Sequence, residues 1–247
     1  MARPLQRITI APAQIQDDQL QLTAEQVHYL RRVLRLSATD PFIAQDGQGR
    51  QWQAELQSAA DRATLLSPLA DQPQAHPVTL AMALPKQGFD DVVRQVTELG
   101  VTTIQPLISD RTLLSPSDKK ILRWQRIAQE ASEQCERPTV PKIQPPSPYI
   151  NWISAGNTGK LQSNAYICVA RHQGDPFGAC LERDRATLKA RDMVIAVGPE
   201  GGWTPAEISV AKAQHYKPVS LGSAILRATT AAVAAASIAS MKLHILS

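Results

Sequence analysis

The apolar positions follow two different rhythms along this chain. Up to about residue 66, short runs with the two-residue period of half-buried strands occur at Gln6–Ile10, Pro41–Gln45, Gln51–Leu56 and Arg62–Leu66. Between them, Thr23–Leu36 reads as a helix, with Thr23 as cap and Val27, Leu30, Val33 and Leu34 at helical spacing. The turn Asp46-Gly47-Gln48-Gly49 predicts a hairpin over Phe42–Leu56. Ser67–Pro77 holds three prolines and little apolar content, as a linker does. Beyond it the rhythm changes to strand–helix alternation. Strands are expected at Val78–Leu84, Thr102–Ile108, Ala165–Ala170, Met193–Val197 and Pro218–Leu221. Helices are expected at Phe89–Leu99, Asp118–Cys135, Phe177–Ala190, Pro205–His215 and Thr230–Leu243, with a Pro/Ser/Asn/Gly-rich loop over Pro145–Gly159. The chain therefore divides into a small β-rich domain, residues 1–72, and an α/β domain, residues 73–247. Alternation of the second kind implies a mostly parallel sheet with helices on both faces, and ligands at the carboxyl ends of its strands.

Composition narrows the class without identifying it. With 43% hydrophobic and 19% charged residues the chain is an ordinary folded protein, neither collagen-like, coiled-coil nor disordered. Aromatics at 4% are too few for a surface built mainly on base stacking. Ala228–Met241 is too short and too alanine-rich to span a membrane, and MARPLQRITI lacks the apolar core of a signal peptide, so a cytoplasmic protein is expected. Cys135, Cys168 and Cys180 form no C-x-x-C, and the five histidines show no metal-type spacing, so neither metal nor disulfide is expected. The formal charge of +4 is uneven. Residues 1–75 carry seven Lys or Arg against eight Asp or Glu, and residues 76–247 carry nineteen against fourteen. A local cluster stands at Arg31, Arg32 and Arg35. Such a balance is compatible with a nucleic-acid partner but does not by itself require one.

Three segments carry the chemical signal. Val197-Gly198-Pro199-Glu200-Gly201-Gly202-Trp203-Thr204 follows an apolar strand and opens a helix through the capping box Thr204-Pro205-Ala206-Glu207. It is neither a Walker A loop nor a dinucleotide fingerprint. Ser220-Leu221-Gly222-Ser223-Ala224-Ile225-Leu226-Arg227 is a second glycine turn between strand and helix. Arg227 stands at a helix start, where the dipole favours negative charge, which points to an anionic partner or to a carboxylate such as Glu200. In the third segment Arg123, Arg126, Glu130 and Gln134 share one face of a helix, as a solvated charged face also would.

Together these segments resemble the ribosomal RNA small subunit methyltransferase E family of SPOUT methyltransferases. The resemblance rests on the GPEGG turn, the LG-x-x-ILR turn and the R-W-x-x-I-x-x-EA-x-EQ-x-x-R helix. It extends to Thr97-Glu98-Leu99-Gly100-Val101 and His28-Tyr29-Leu30-Arg31-Arg32-Val33-Leu34-Arg35-Leu36, all in order over nearly the whole chain. It implies a C-terminal SPOUT domain closed by a deep trefoil knot, which ordinary connection rules would never suggest, and an N-terminal PUA-like β-barrel that binds RNA. It further implies a homodimer, S-adenosyl-L-methionine as methyl donor, and methylation of N3 of a uridine in 16S small-subunit rRNA, within the assembled 30S subunit.

Carried onto this sequence, the resemblance makes Gly198, Pro199, Glu200, Gly201 and Gly202 one wall of the cofactor pocket. Leu221, Gly222, Ile225 and Leu226 make another, and Arg171-His172 contributes to a third. Arg227 is the expected cation beside the uracil oxygens, with Glu200 orienting it or taking the proton. Arg31, Arg32, Arg35, Arg123 and Arg126 are the expected RNA contacts. Two positions depart from the family. Its L-R-x-E-T reads Leu226-Arg227-Ala228-Thr229-Thr230 here, so a threonine replaces the glutamate, and the Lys three residues before the TELG glutamate is Gln95 beside Arg94. Thr229 keeps open a catalytically silent RNA-binding or ribosome-assembly protein of the same fold. A SPOUT enzyme acting on another RNA, such as tRNA, is the other alternative.

Overall fold

The computed structural model describes residues 5–59, 61–70, 76–113, 115–155, 164–170, 174–188 and 192–244. They form two compact units, residues 1–74 with 129–140, and residues 75–128 with 141–247. Residues 129–140, which the sequence pattern places within the α/β domain, thus cluster with the first unit.

The first unit is built on a mixed sheet. Its strands are β1 (Arg7–Thr9), β2 (Ile15–Gln16), β3 (Gln19–Gln21), β4 (Pro41–Gln45), β5 (Gln51–Leu56) and β6 (Arg62–Pro68), in the spatial order β1-β4-β5-β6-β3-β2. The expected hairpin is β4–β5, and Asp46 closes it by accepting from the Gln48 and Arg50 amides at 2.8 and 3.1 Å. The β2–β3 hairpin escaped the sequence pattern, because strands of two and three residues in a glutamine-rich stretch show no period. Its turn places Asp17 at a φ of 56°. The expected helix over Thr23–Leu36 is shorter than its apolar spacing implies. Helix α1 (Ala24–His28), capped by Thr23 and Gln26, widens into a π-type turn over Tyr29–Val33. Arg35, at a φ of 60°, ends it, and the Leu36 amide reaches back to the Leu30 carbonyl at 2.9 Å. The wider turn seats Leu30 in a core with Ile8, Leu20, Phe42 and Leu56.

The segment 129–140 is tied to this unit by polar contacts. Glu133 Oε1 accepts from the Thr9 amide at 2.7 Å and from Gln129 Nε2 at 3.2 Å, and Arg7 pairs with Glu136 at 3.0 Å. Burial raises the Glu133 carboxyl above its ordinary range, an effect these hydrogen bonds only partly offset.

The second unit is a parallel sheet. Its strands are β7 (Val78–Ala83), β8 (Thr103–Ile108), β9 (Lys142–Ile143), β10 (Ser147–Pro148), β11 (Ala165–Cys168), β12 (Asp175–Pro176), β13 (Met193–Val197) and β14 (Lys217–Ser220). Their order is β10-β8-β7-β13-β11-β14-β12, with β9 adding to β8. Every pair is parallel. All five residues of β13 are buried, as in a strand covered on both faces. Helices α2 (Phe89–Glu98), α5 (Phe177–Arg183) and α8 (Ala228–His244) pack together, with α8 against β7 and β13. Helices α4 (Tyr149–Ser154) and α7 (Pro205–Ala213) pack on each other, over a core that includes Ala81, Leu107, Val194 and Ala196. Helix α3 (Asp118–Gln134) meets α2 through Asp90, which accepts from Arg123 Nε at 2.6 Å and Trp124 Nε1 at 2.9 Å.

Two expectations change here. Part of the Pro145–Gly159 loop is strand β10 and helix α4, which buries Tyr149, Trp152 and Ile153 at steps of three and one behind Pro148. The expected helix Phe177–Ala190 is broken at Asp184 into α5 and α6 (Arg185–Leu188). There the Asp184 carboxylate takes Lys217 Nζ at 2.7 Å and the Tyr166 hydroxyl at 2.6 Å.

Two outcomes test this packing. A Cβ at Gly174 would lie 2.6 Å from the Pro218 carbonyl in β14. Gly174→Ala is expected to lose about 1–3 kcal/mol in denaturant unfolding. The folded Glu133 carboxyl titrates above its unfolded value, so its contribution to stability is present at acid pH and lost as pH rises through the folded value. Glu133→Gln is therefore expected to raise Tm at neutral pH, with the gain vanishing towards about pH 4.

Candidate active site

The loop after β13 is shaped by its glycines and fastened by one carboxylate. Gly202 has a φ of 68°, a conformation that suits glycine. A Cβ at Gly198 would press on the Trp203 indole at 3.3 Å, so the ring lies directly against the backbone there. Glu207, 5% exposed, closes the start of α7 by accepting from the Thr204 amide at 2.7 Å, while Thr204 Oγ1 accepts from the Glu207 amide at 3.2 Å. Its other oxygen accepts from the Asp110 amide at 3.1 Å, and the Thr204 hydroxyl donates to Asp110. The turn after β8 is thus held to the loop after β13. Arg111 in that turn donates to the Gly201 carbonyl.

The loop after β14 turns at Gly222, with a φ of 134°, and Ser220 Oγ donates to the Gly222 carbonyl at 3.0 Å. The end of β11 supplies Cys168, Val169 and Ala170. Burial pushes the Cys168 thiol up to about 12, so it stays protonated and unreactive at neutral pH. These three strand ends enclose a cavity of about 530 Å³, within the range of small-molecule sites. Among the described residues, and chain neighbours aside, added Cβ atoms at Gly202 and Gly222 would meet nothing within 4 Å, so bare backbone borders open space there.

The sequence candidates separate into two groups. Gly198, Pro199, Glu200, Gly201, Gly202, Leu221, Gly222, Ile225 and Leu226 all line the cavity. His172 lies outside the described residues. Arg227 is exposed and is not among the lining residues. Its carbonyl takes the Ala231 amide at 2.8 Å at the start of α8. Among the described residues no ion pair joins it to Glu200, whose Oε1 instead accepts from the Lys86 amide at 2.9 Å. Thr229 is half-buried, and its Cγ2 would lie 3.2 Å from a Cβ at Gly88. The displaced charge at Arg94 pairs with Asp91 on the surface of α2.

The RNA candidates are divided between the two units. Arg31, Arg32 and Arg35 belong to the first unit, and Arg123 and Arg126 to the second. Arg31 donates to the Gln57 and Ala59 carbonyls at 2.6 and 3.1 Å, Arg32 and Arg35 are exposed, and Arg123 is paired with Asp90. Sequence reading missed Arg111. Its one signal was a charged turn, Ser109-Asp110-Arg111-Thr112, at the carboxyl end of an expected strand. Among the described residues no three His, Cys, Asp or Glu side chains are grouped to hold a metal, and no helix is long and apolar enough to cross a membrane.

Comparison with known proteins places this geometry. Residues 72–240 match the model of an RNA methyltransferase domain, and residues 22–66 that of an RNA methyltransferase PUA domain. A ribosomal RNA small subunit methyltransferase E from Synechocystis is 45% identical over 228 residues, covering 91% of this chain and 74% of that protein. The chain belongs to the ribosomal RNA small subunit methyltransferase E family. A Neisseria gonorrhoeae member of that name, solved bound to S-adenosylmethionine, superposes with a TM-score of 0.80 at 29% identity, covering 96% of this chain and 97% of that one. A Legionella pneumophila protein solved with the same molecule gives 0.82 at 25% identity, again covering 96% and 97%. The α/β unit is accordingly the family's SPOUT domain, and the chain carries its PUA-like domain before it.

Glu207 is the residue on which this loop arrangement turns. Replacement by alanine would leave the part-buried Asp110 and Thr204 amide bonds without their acceptor, at roughly 1 kcal/mol for each hydrogen bond lost. Glu207→Ala is expected to lower Tm and to speed hydrogen exchange selectively at those two amides.

Proposed function

We propose that this protein transfers a methyl group from S-adenosyl-L-methionine to N3 of a uridine in 16S rRNA. The assembled small subunit is the substrate and a homodimer the working form in this reading, and the implied trefoil knot is part of it. The observation that carries the reading is the cavity at the ends of β11, β13 and β14, bordered by the bare backbone of Gly202 and Gly222. The family relatives solved with the donor support it.

The donor supplies an electrophilic methyl group on a sulfonium, and the rest of the chemistry falls to the chain. Gly198–Gly202 and Leu221–Leu226 hold the donor through backbone and apolar contacts, so that the methyl group is presented in line with the incoming nitrogen. Uridine N3 must lose its proton to attack. Glu200, on the exposed side of the loop, keeps one carboxylate oxygen free of the Lys86 amide and is the acid–base candidate of the lining. Thr229 has no carboxylate to offer, so the family glutamate's place contributes packing against the turn at Gly88 instead. Arg227, exposed beside the cavity, acts on the RNA rather than on the donor. Arg32 and Arg35 contact phosphates, contacts that position the RNA without reading its sequence.

The test is nucleoside mass analysis of small subunits from a strain lacking the activity, after incubation with the protein and S-adenosylmethionine. The expected result is 3-methyluridine, formed with Thr229 in place. Donor binding without any methylated product would instead favour the silent relative, and product on tRNA the other substrate.

A further inference from the structure

Strand β7 pairs with both β8 and β13, so the turn after it opens at the same edge of the sheet as the loops already described. Residues 85–88 of that turn are not among those lining the cavity. The turn is nevertheless fixed at both ends. The Leu84 amide donates to the Leu107 carbonyl at 2.9 Å, and Gly88, at a φ of 82°, starts α2 by accepting from the Val92 amide at 3.1 Å. In between, the Lys86 amide donates to Glu200 Oε1 at 2.9 Å. Lys86 thus stands outside the donor cavity and one backbone bond away from the carboxylate to which the acid–base step falls.

The Lys86 side chain is exposed, and among the described residues its ammonium makes no hydrogen bond or ion pair. The carboxylates that follow it in the chain are committed elsewhere. Asp90 accepts from Arg123 and Trp124, and Asp91 pairs with Arg94 at 2.8 Å. At the start of α8 the side chain nearest the turn is Thr229, whose Cγ2 would lie 3.2 Å from a Cβ at Gly88, where the family pattern has a glutamate. The positive charge of this turn is therefore left for an incoming group. The tie to Glu200 sets Lys86 apart from Arg227, which among the described residues has no bond to that carboxylate.

We propose that Lys86 is the cation that stabilises the uracil anion formed when Glu200 removes the N3 proton, its ammonium donating to a carbonyl oxygen beside N3. This rests on the proposed function and gives to Lys86 the role that the sequence suggested for Arg227. Loss of the N3 proton spreads negative charge onto the two flanking carbonyl oxygens, and a compact ammonium can meet one of them without matching a plane. In the step, Glu200 Oε2 takes the proton, N3 forms its bond to the methyl carbon as the carbon–sulfur bond breaks, and Lys86 keeps its protons throughout.

The test is single-turnover methyl transfer to small subunits from a strain lacking the activity, followed against pH. Lys86→Gln should react about tenfold or more slowly at neutral pH, as for a lost charge-assisted hydrogen bond. The deficit should shrink as the pH is raised, because the N3 proton then leaves more readily without a cation beside it. Lys86→Arg should recover most of the rate. Binding of S-adenosylmethionine, read by calorimetry, should be unchanged in both variants, since the bond to Glu200 uses the Lys86 amide and survives replacement of the side chain. An unchanged rate in Lys86→Gln overturns the proposal. So does a deficit that is independent of pH or confined to affinity for the subunit, which marks a phosphate contact, and so does weakened donor binding, which marks a disturbed turn. Wild type that forms no 3-methyluridine overturns the functional reading itself.

Discussion

The parallel pairing of β13 with β7 on one side and β11 on the other is the constraint from which the site follows. In a parallel sheet every strand ends at the same edge, so loops distant in sequence are delivered to one place. All five β13 residues are buried, so the strand is held inside the sheet with a paired neighbour on each edge. The loops at Cys168–Ala170, Gly198–Gly202 and Leu221–Leu226 then have little freedom in where they meet.

A second level of order is electrostatic. A carboxylate as buried as Glu207 is tolerable only when its oxygens are matched by donors. It has the Thr204 and Asp110 amides, one from its own helix and one from the turn after β8. The same side chain thus caps α7 and holds Arg111 in reach of the Gly201 carbonyl. Thr229 shows the opposite economy. Its Cγ2 would lie 3.2 Å from a Cβ at Gly88, so an uncharged side chain faces that turn.

Strand–helix alternation was legible because β7, β8 and β13 are long enough to show their period, and the observed ends differ from the pattern by a residue or so. The glycine turns were legible because a strand, a glycine and a capped helix in succession leave few alternatives. Strands β2, β3, β9, β10 and β12 were not legible, since two or three residues carry no period and form only because a neighbour strand waits beside them. Helix α4 was hidden by the prolines before it, and its existence depends on a core for Tyr149, Trp152 and Ile153 that distant strands provide.

The sequence by itself determined the two rhythms, the glycine loops that wall the cavity and the family to which they belong. These are local facts, set by side-chain period, backbone freedom and the order of motifs. Only the tertiary structure decided that residues 129–140 join the first unit, that Arg227 stands outside the lining and that Arg111 stands within it. The first and the last depend on a hydrogen bond across a long stretch of chain, Glu133 to Thr9 and Arg111 to Gly201. No spacing in the sequence encodes such a contact, because it exists only once the sheet has chosen its strand order.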